Sequence, residues 1–155
     1  MAQKGDNSKK ALVAALNGAL ADTLALYVKT KNFHWHVSGP HFRDYHLLLD
    51  DQAAQILGAT DAIAERVRKT GNTTLRSIGD ISRHQSIKDN DAAFVSAADM
   101  LAELRDDNLK LVESLREAKD IVDAAKDNAT SGILDEWTDQ AEERAWFLFE
   151  ASRKG

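Results

Sequence analysis

From residue 94 to residue 122 the chain repeats one spacing without a break. Phe94, Ala97, Leu101, Leu104, Asn108, Leu111, Leu115, Ala118 and Val122 follow one another in alternating steps of three and four. Such steps return a side chain to one face of a 3.6-residue turn, so this is the seam of a helix packed lengthwise on other helices. A seam of that length needs further helices to cover it. Leu12, Leu16, Leu20, Leu24 and Tyr27 supply a similar stripe between Ser8 and His36, and Ser38-Gly39-Pro40 ends it. A second helix is predicted from about His41 to Thr70, with Gly71 as its stop. A fourth carries Ile133, Trp137, Ala141, Ala145 and Leu148 inward, after a turn and cap at Asp127-Asn128-Ala129-Thr130.

With one Pro and eight Gly in 155 residues, little punctuates the chain, which favours long helices over many short strands. Three of the helices approach 30 residues, each about 45 Å long at 1.5 Å per residue. The expected fold is all-α: an antiparallel four-helix bundle with one crossover-type connection after the second helix. The polar stretch from Asn72 to Asn90 leaves room in that connection for a short extra helix around Ser77 to His84. The chain reads as a single domain over 1–155 with a short N-terminal tail of about eight residues, and no repeat or second domain is seen.

Composition narrows the chemistry. No apolar run is read as approaching the roughly 20 residues of a membrane span, and MAQKGDNSKK lacks the apolar stretch of a secretory signal. There are no cysteines, so a metal must be held by His, Asp and Glu. Both points favour a cytoplasmic address. A net charge of −5 argues against nucleic-acid binding over the whole surface and suits a protein that attracts cations.

Four of the five histidines, His34, His36, His41 and His46, fall between residues 34 and 46, and Asp50, Asp61 and Glu65 follow. At about 100° per residue, His46, Asp50, Asp61 and Glu65 share one face of the second helix. The 46/50 and 61/65 pairs are each one turn apart, close enough for both members to touch one ion. The pairs themselves stand about 22 Å apart along the axis, so one copy cannot close a site with both. Two copies packing this helix antiparallel would bring the 46/50 end of one onto the 61/65 end of the other, giving two equivalent sites. His34, at the end of the first helix, completes each. Two imidazoles and three carboxylates suit iron or manganese and leave positions open for an oxidant. The chain has no Glu-x-x-His, so a dimetal site inside one bundle is unsupported.

The run N-F-H-W-H-V-S-G-P-H-F at residues 32–42, with His46, Asp50 and D-A-I-A-E-R at 61–66, resembles the signature of the Dps family of ferritin-like proteins, or mini-ferritins. The segment A-T-S-G-I-L-D-E-W-T-D-Q-A-E-E-R-A-W near the C-terminus is similar to that family as well. The resemblance implies a ferroxidase site at a dimer interface, with iron held by His34, His46 and Asp50 of one subunit and Asp61 and Glu65 of its mate. It also implies a hollow dodecamer that oxidises Fe²⁺ with hydrogen peroxide or oxygen and stores the ferric product. Some members bind DNA non-specifically through lysine-bearing tails, which draws attention to Lys4, Lys9 and Lys10. The rival function is therefore a DNA-compacting nucleoid protein that shields physically. A plain helical bundle leaves the shared face of His46, Asp50, Asp61 and Glu65 unexplained.

His36 and His41 match no ligand position and read as surface or interface groups. Trp35 reads either as an oxidisable neighbour of the site or as an apolar anchor at the subunit contact. The acidic residues outside the third helix's seam, Glu103, Asp106, Asp107, Glu113, Glu117 and Asp120, read as a solvated face or as the lining of an iron pore.

Overall fold

The computed structural model describes the backbone of residues 4–154 and the side chains of residues 8–154. The described residues form five helices: α1 (Lys4–His36), α2 (Phe42–Lys69), α3 (Ile78–His84), α4 (Ala97–Ala124) and α5 (Asn128–Ser152). Among the described residues there is no strand. The four long helices form the expected bundle, and α3 is the expected short helix in the connection. α1 packs on α2 and α4, α4 packs on α5, and α2 meets α5 only thinly.

Each long helix begins or ends where local chemistry dictates. Gly71, at φ +86, turns the chain out of α2 in a conformation that L side chains rarely adopt. The side chains of Ser77, Ser96 and Asp127 accept from the amides of Asp80, Asp99 and Thr130, capping α3, α4 and α5. The Ser96 cap corrects one expectation. Phe94 precedes the helix and is 75% exposed, so the seam starts at Ala97. From Leu101 to Val122 every predicted seam residue is buried, as are Trp137, Ala141, Ala145 and Leu148 of α5.

α1 differs from its expectation in two ways. It starts at Lys4, inside the stretch of about eight residues read as a tail, while Lys9 and Lys10 are helical as a helix from Ser8 requires. The side chain of Lys4 lies outside the described residues. Second, Ser8–His36 is long and apolar enough, by length and composition, to cross a membrane. Half of its most apolar window is buried in the bundle, where Leu12, Leu16, Leu20 and Leu26 join the core.

The connection between α2 and α4 climbs α1 from Asn17 to Asn32, held by hydrogen bonds at three heights. The Asn17 side chain meets Thr73 and Thr74. Higher up, the buried Asp22 carboxylate accepts from the Ser86 amide (2.6 Å), the Ser86 hydroxyl (2.7 Å) and the Ile87 amide (2.9 Å). Near the top, Asn32 Nδ2 donates to the Asn90 carbonyl. This ladder is the crossover. It delivers α4 to the far end of α1 and makes the two antiparallel, with Lys29 of α1 paired to Glu103 and Asp107 of α4.

Candidate metal centre

The chain reverses between α1 and α2 in five residues, with Gly39 at φ +117 and the Phe42 amide donating to the Gly39 carbonyl. This sharp turn brings the last turn of α1 against the first turns of α2. It sets His34 beside His46.

The two imidazoles bind each other's backbone. His34 Nδ1 lies 2.6 Å from the His46 carbonyl oxygen, and His46 Nδ1 lies 2.8 Å from the His34 carbonyl oxygen. A carbonyl only accepts, so each Nδ1 must carry the proton, and in the neutral ring Nε2 is left with its lone pair. The His34 carbonyl is among the last four of α1, which lack helical partners, so the His46 ring also satisfies an otherwise orphaned group. The rings stack with centroids 3.9 Å apart and planes 17° from parallel, and Phe42 covers His46 with centroids 5.0 Å apart. Ring orientation is thereby fixed from two sides, the support that metal-binding imidazoles require.

Asp50, one turn beyond His46, completes this group. Its Oδ1 lies 3.7 Å from His34 Nε2 and 2.8 Å from Lys31 Nζ. The Lys31 hydrogen bond holds the Asp50 carboxyl below its ordinary range, while partial desolvation works the other way. The carboxylate is half exposed, so the effect is one of local charge rather than stability.

Asp61 and Glu65 lie farther along the same continuous helix. Both are exposed, and neither makes an ion pair with a described residue. Among the described residues, no three His, Asp or Glu side chains close into a metal-binding group. The chain thus brings His34, His46 and Asp50 to one end of α2 and leaves Asp61 and Glu65 near the other. His36 turns away to its own helix, with Nδ1 2.8 Å from the Asn32 carbonyl, and His41 packs on Tyr45. Trp35, next to His34, is 63% exposed, a large apolar surface without cover.

Sequence reading missed Lys31, although it stands one helical turn before His34 and so shares its face. It also missed what fills the middle of the bundle. Arg144 of α5 is buried, and it donates to Asn108 Oδ1 and Gln55 Oε1, both at 2.8 Å. Gln52 Nε2 donates to the Arg144 carbonyl. Burial pulls the guanidinium down to about 10. A divalent ion inside the bundle needs anions around it, and here neutral amides surround a fixed cation.

A ferritin-like domain matches residues 13–154. The DNA protection during starvation protein of Brevibacillus brevis is 36% identical over 138 residues, which span 88% of this chain and 92% of that protein. The crystal structure of a Dps protein from Bacillus brevis superposes with a TM-score of 0.91 at 31% identity, covering 99% of this chain and 100% of that one. The chain belongs to the Dps family. Its fold is also that of the Dps from Thermosynechococcus elongatus, with a TM-score of 0.95 at 22% identity over 99% of this chain and 97% of that one. Within the Dps frame, the group of His34, His46 and Asp50 holds two oriented imidazoles beside a carboxylate.

Proposed function

We propose that this Dps subunit is one partner of a shared ferroxidase. Fe²⁺ is the substrate, bound by His34, His46 and Asp50 of one subunit and by Asp61 and Glu65 of a two-fold mate. The observation that carries this reading is the reciprocal His34–His46 pair, which frees both Nε2 atoms, that of His34 lying 3.7 Å from Asp50 Oδ1. Antiparallel packing of α2 on its own copy would supply the two missing carboxylates, which stand exposed and without an ion pair to any described residue at the other end of the helix. The Dps protein of Vibrio cholerae, which shares this fold, is described as a member of a broad superfamily of ferritin-like diiron-carboxylate proteins.

The anionic ligands favour Fe³⁺ over Fe²⁺ by charge and so promote oxidation. Two Fe²⁺ give up one electron each to hydrogen peroxide. Its O–O bond breaks, and two protons are taken up to leave two Fe³⁺ and two waters. Consuming peroxide in a two-electron step limits hydroxyl radical, which fits the names of the DNA protection during starvation relatives. The ferric product is stored in a hollow closed shell, a dodecamer by family analogy, in the cytoplasm.

The test is to mix the protein with Fe²⁺ and hydrogen peroxide in the absence of oxygen. The expected result is an Fe²⁺:peroxide consumption ratio of about two to one by a particle much larger than a dimer in light scattering. A monomer or dimer that still stored iron would contradict the shell.

A second reading, non-specific DNA binding, has one observation in its favour. Lys9 and Lys10 are exposed on α1, and Lys9 shares a surface hollow with Arg66, Lys69 and Lys126. Repeated over a shell, such a patch binds phosphates by multivalency despite the negative net charge. Replacing Lys9 and Lys10 together by Gln is expected to abolish gel retardation at about 0.15 M salt and leave iron oxidation unchanged. Equal retardation by wild type and variant would remove these lysines as the contact.

A further inference from the structure

The ammonium of Lys31 has no role in the ferroxidase reading, yet it sits inside the half-site. Lys31 Nζ is 2.8 Å from Asp50 Oδ1, the same oxygen that lies 3.7 Å from His34 Nε2. Any ion that bridges Asp50 Oδ1 and His34 Nε2 must enter the space next to that ammonium. Lys31 is anchored on α1 one turn before His34, so the lysine and the histidine approach Asp50 from the same helix face. Its side chain is about one-quarter exposed, which leaves the ammonium free to swing toward water when displaced.

We propose that Lys31 is the resident counter-cation of the metal-free site, and that a divalent ion binds by displacing its ammonium from Asp50. This rests on the metal-site reading above and deepens it. Without a cation, the cluster of Asp50 and a mate's Asp61 and Glu65 would hold unneutralised carboxylates close together, which like-charge repulsion disfavours. Lys31 relieves that repulsion at Asp50 until a metal arrives. It also makes binding a competition, because the entering ion must break an ion pair and then tolerate a positive charge nearby. The expected consequence is affinity held down: strong enough to capture Fe²⁺ and weak enough to release the product to the shell interior.

Zn²⁺, which binds similar ligands without redox chemistry, is the probe. Calorimetric titration of the assembled protein would compare wild type with Lys31→Met, which keeps the apolar stem, Lys31→Gln, and Lys31→Arg, which keeps the charge. Lys31→Met and Lys31→Gln are expected to bind Zn²⁺ about tenfold more tightly at the interfacial site, and Lys31→Arg within about twofold of wild type. Size exclusion checks assembly of each, and either neutral variant alone suffices. His46→Ala, titrated alongside, identifies the interfacial heat by its loss. If wild type and His46→Ala bind Zn²⁺ identically, the metal-site reading itself fails. If His46→Ala loses binding but the neutral Lys31 variants bind no more tightly than wild type, the site stands and the counter-cation role is overturned.

Discussion

His46→Ala is expected to slow iron oxidation by at least about a hundredfold while leaving the shell intact. The substitution removes one of the two proposed imidazole ligands, and changes even behind metal ligands typically cost about 10–100-fold. Its structural cost is small. His34 donates to the backbone carbonyl at position 46, which alanine retains, so the tautomer and orientation of His34 survive on that side. What is lost is the bond to the His34 carbonyl, at a partly buried helix end, and the stacking with His34 and Phe42. Stopped-flow absorbance of Fe³⁺ formation, with size exclusion as the assembly control, separates the two effects. Oxidation within about threefold of wild type would move the chemistry away from this pair.

The largest expected effect on stability belongs to Asp22→Ala, far from any ligand. Asp22 is 4% exposed, and its carboxylate is the partner of two backbone amides and one hydroxyl of the crossover. Alanine leaves both amides and the hydroxyl without that acceptor, one of them next to Ile87, which is fully buried in the core. Charge-assisted bonds of this kind and the penalty for orphaned amides together put the loss at about 3–5 kcal/mol. For a chain of this length that lowers the unfolding midpoint by about 10 °C at matched protein concentration. Hydrogen exchange at residues 86–96 should rise more than in α5, because the crossover is released first. A midpoint within about 2 °C of wild type would mean that the ladder along α1 is redundant.

The parts of this molecule that were legible in the sequence are those governed by local repetition. The three-and-four spacing from Leu101 to Val122 describes the buried face of α4 because each residue's environment follows from its position on the same helix. Gly71 and Asp127 end and begin helices for reasons confined to a few bonds. Phe94 has the right spacing and still falls outside, because Ser96 caps the helix after it. Spacing registers apolar character but not the competing hydrogen bond of a cap. The reach of the 46/50 and 61/65 pairs along α2 was equally readable, since a helix has a fixed rise.

What could not be read are the contacts that join separate elements. Lys31 and Asp50 are 19 residues apart, and nothing in either stretch states that the Gly39 turn will lay one over the other. The exchange of carbonyl bonds between His34 and His46 needs the same turn, although both histidines were picked out by type. Arg144, Asn108 and Gln55 come from three helices. Asn108 sat in the seam as an ordinary member, and its polar side chain was the one visible hint that a buried donor would have to meet it.

The sharing of the site between two copies is tested most directly by complementation. His46→Ala spoils one half-site and Glu65→Ala the other. When the two variants are unfolded together and reassembled, a mixed dimer holds one site lacking both ligands and one site with all five. That intact site takes His46 from the Glu65→Ala chain and Glu65 from the His46→Ala chain. Random pairing makes about half the dimers mixed, each with one working site of two, so recovery should approach about a quarter of wild-type oxidation if sites act independently. Each variant reassembled alone should remain inactive. Recovery near a quarter is the predicted result. No recovery, with co-assembly confirmed by mass, would place all the ligands within one subunit and contradict the shared site.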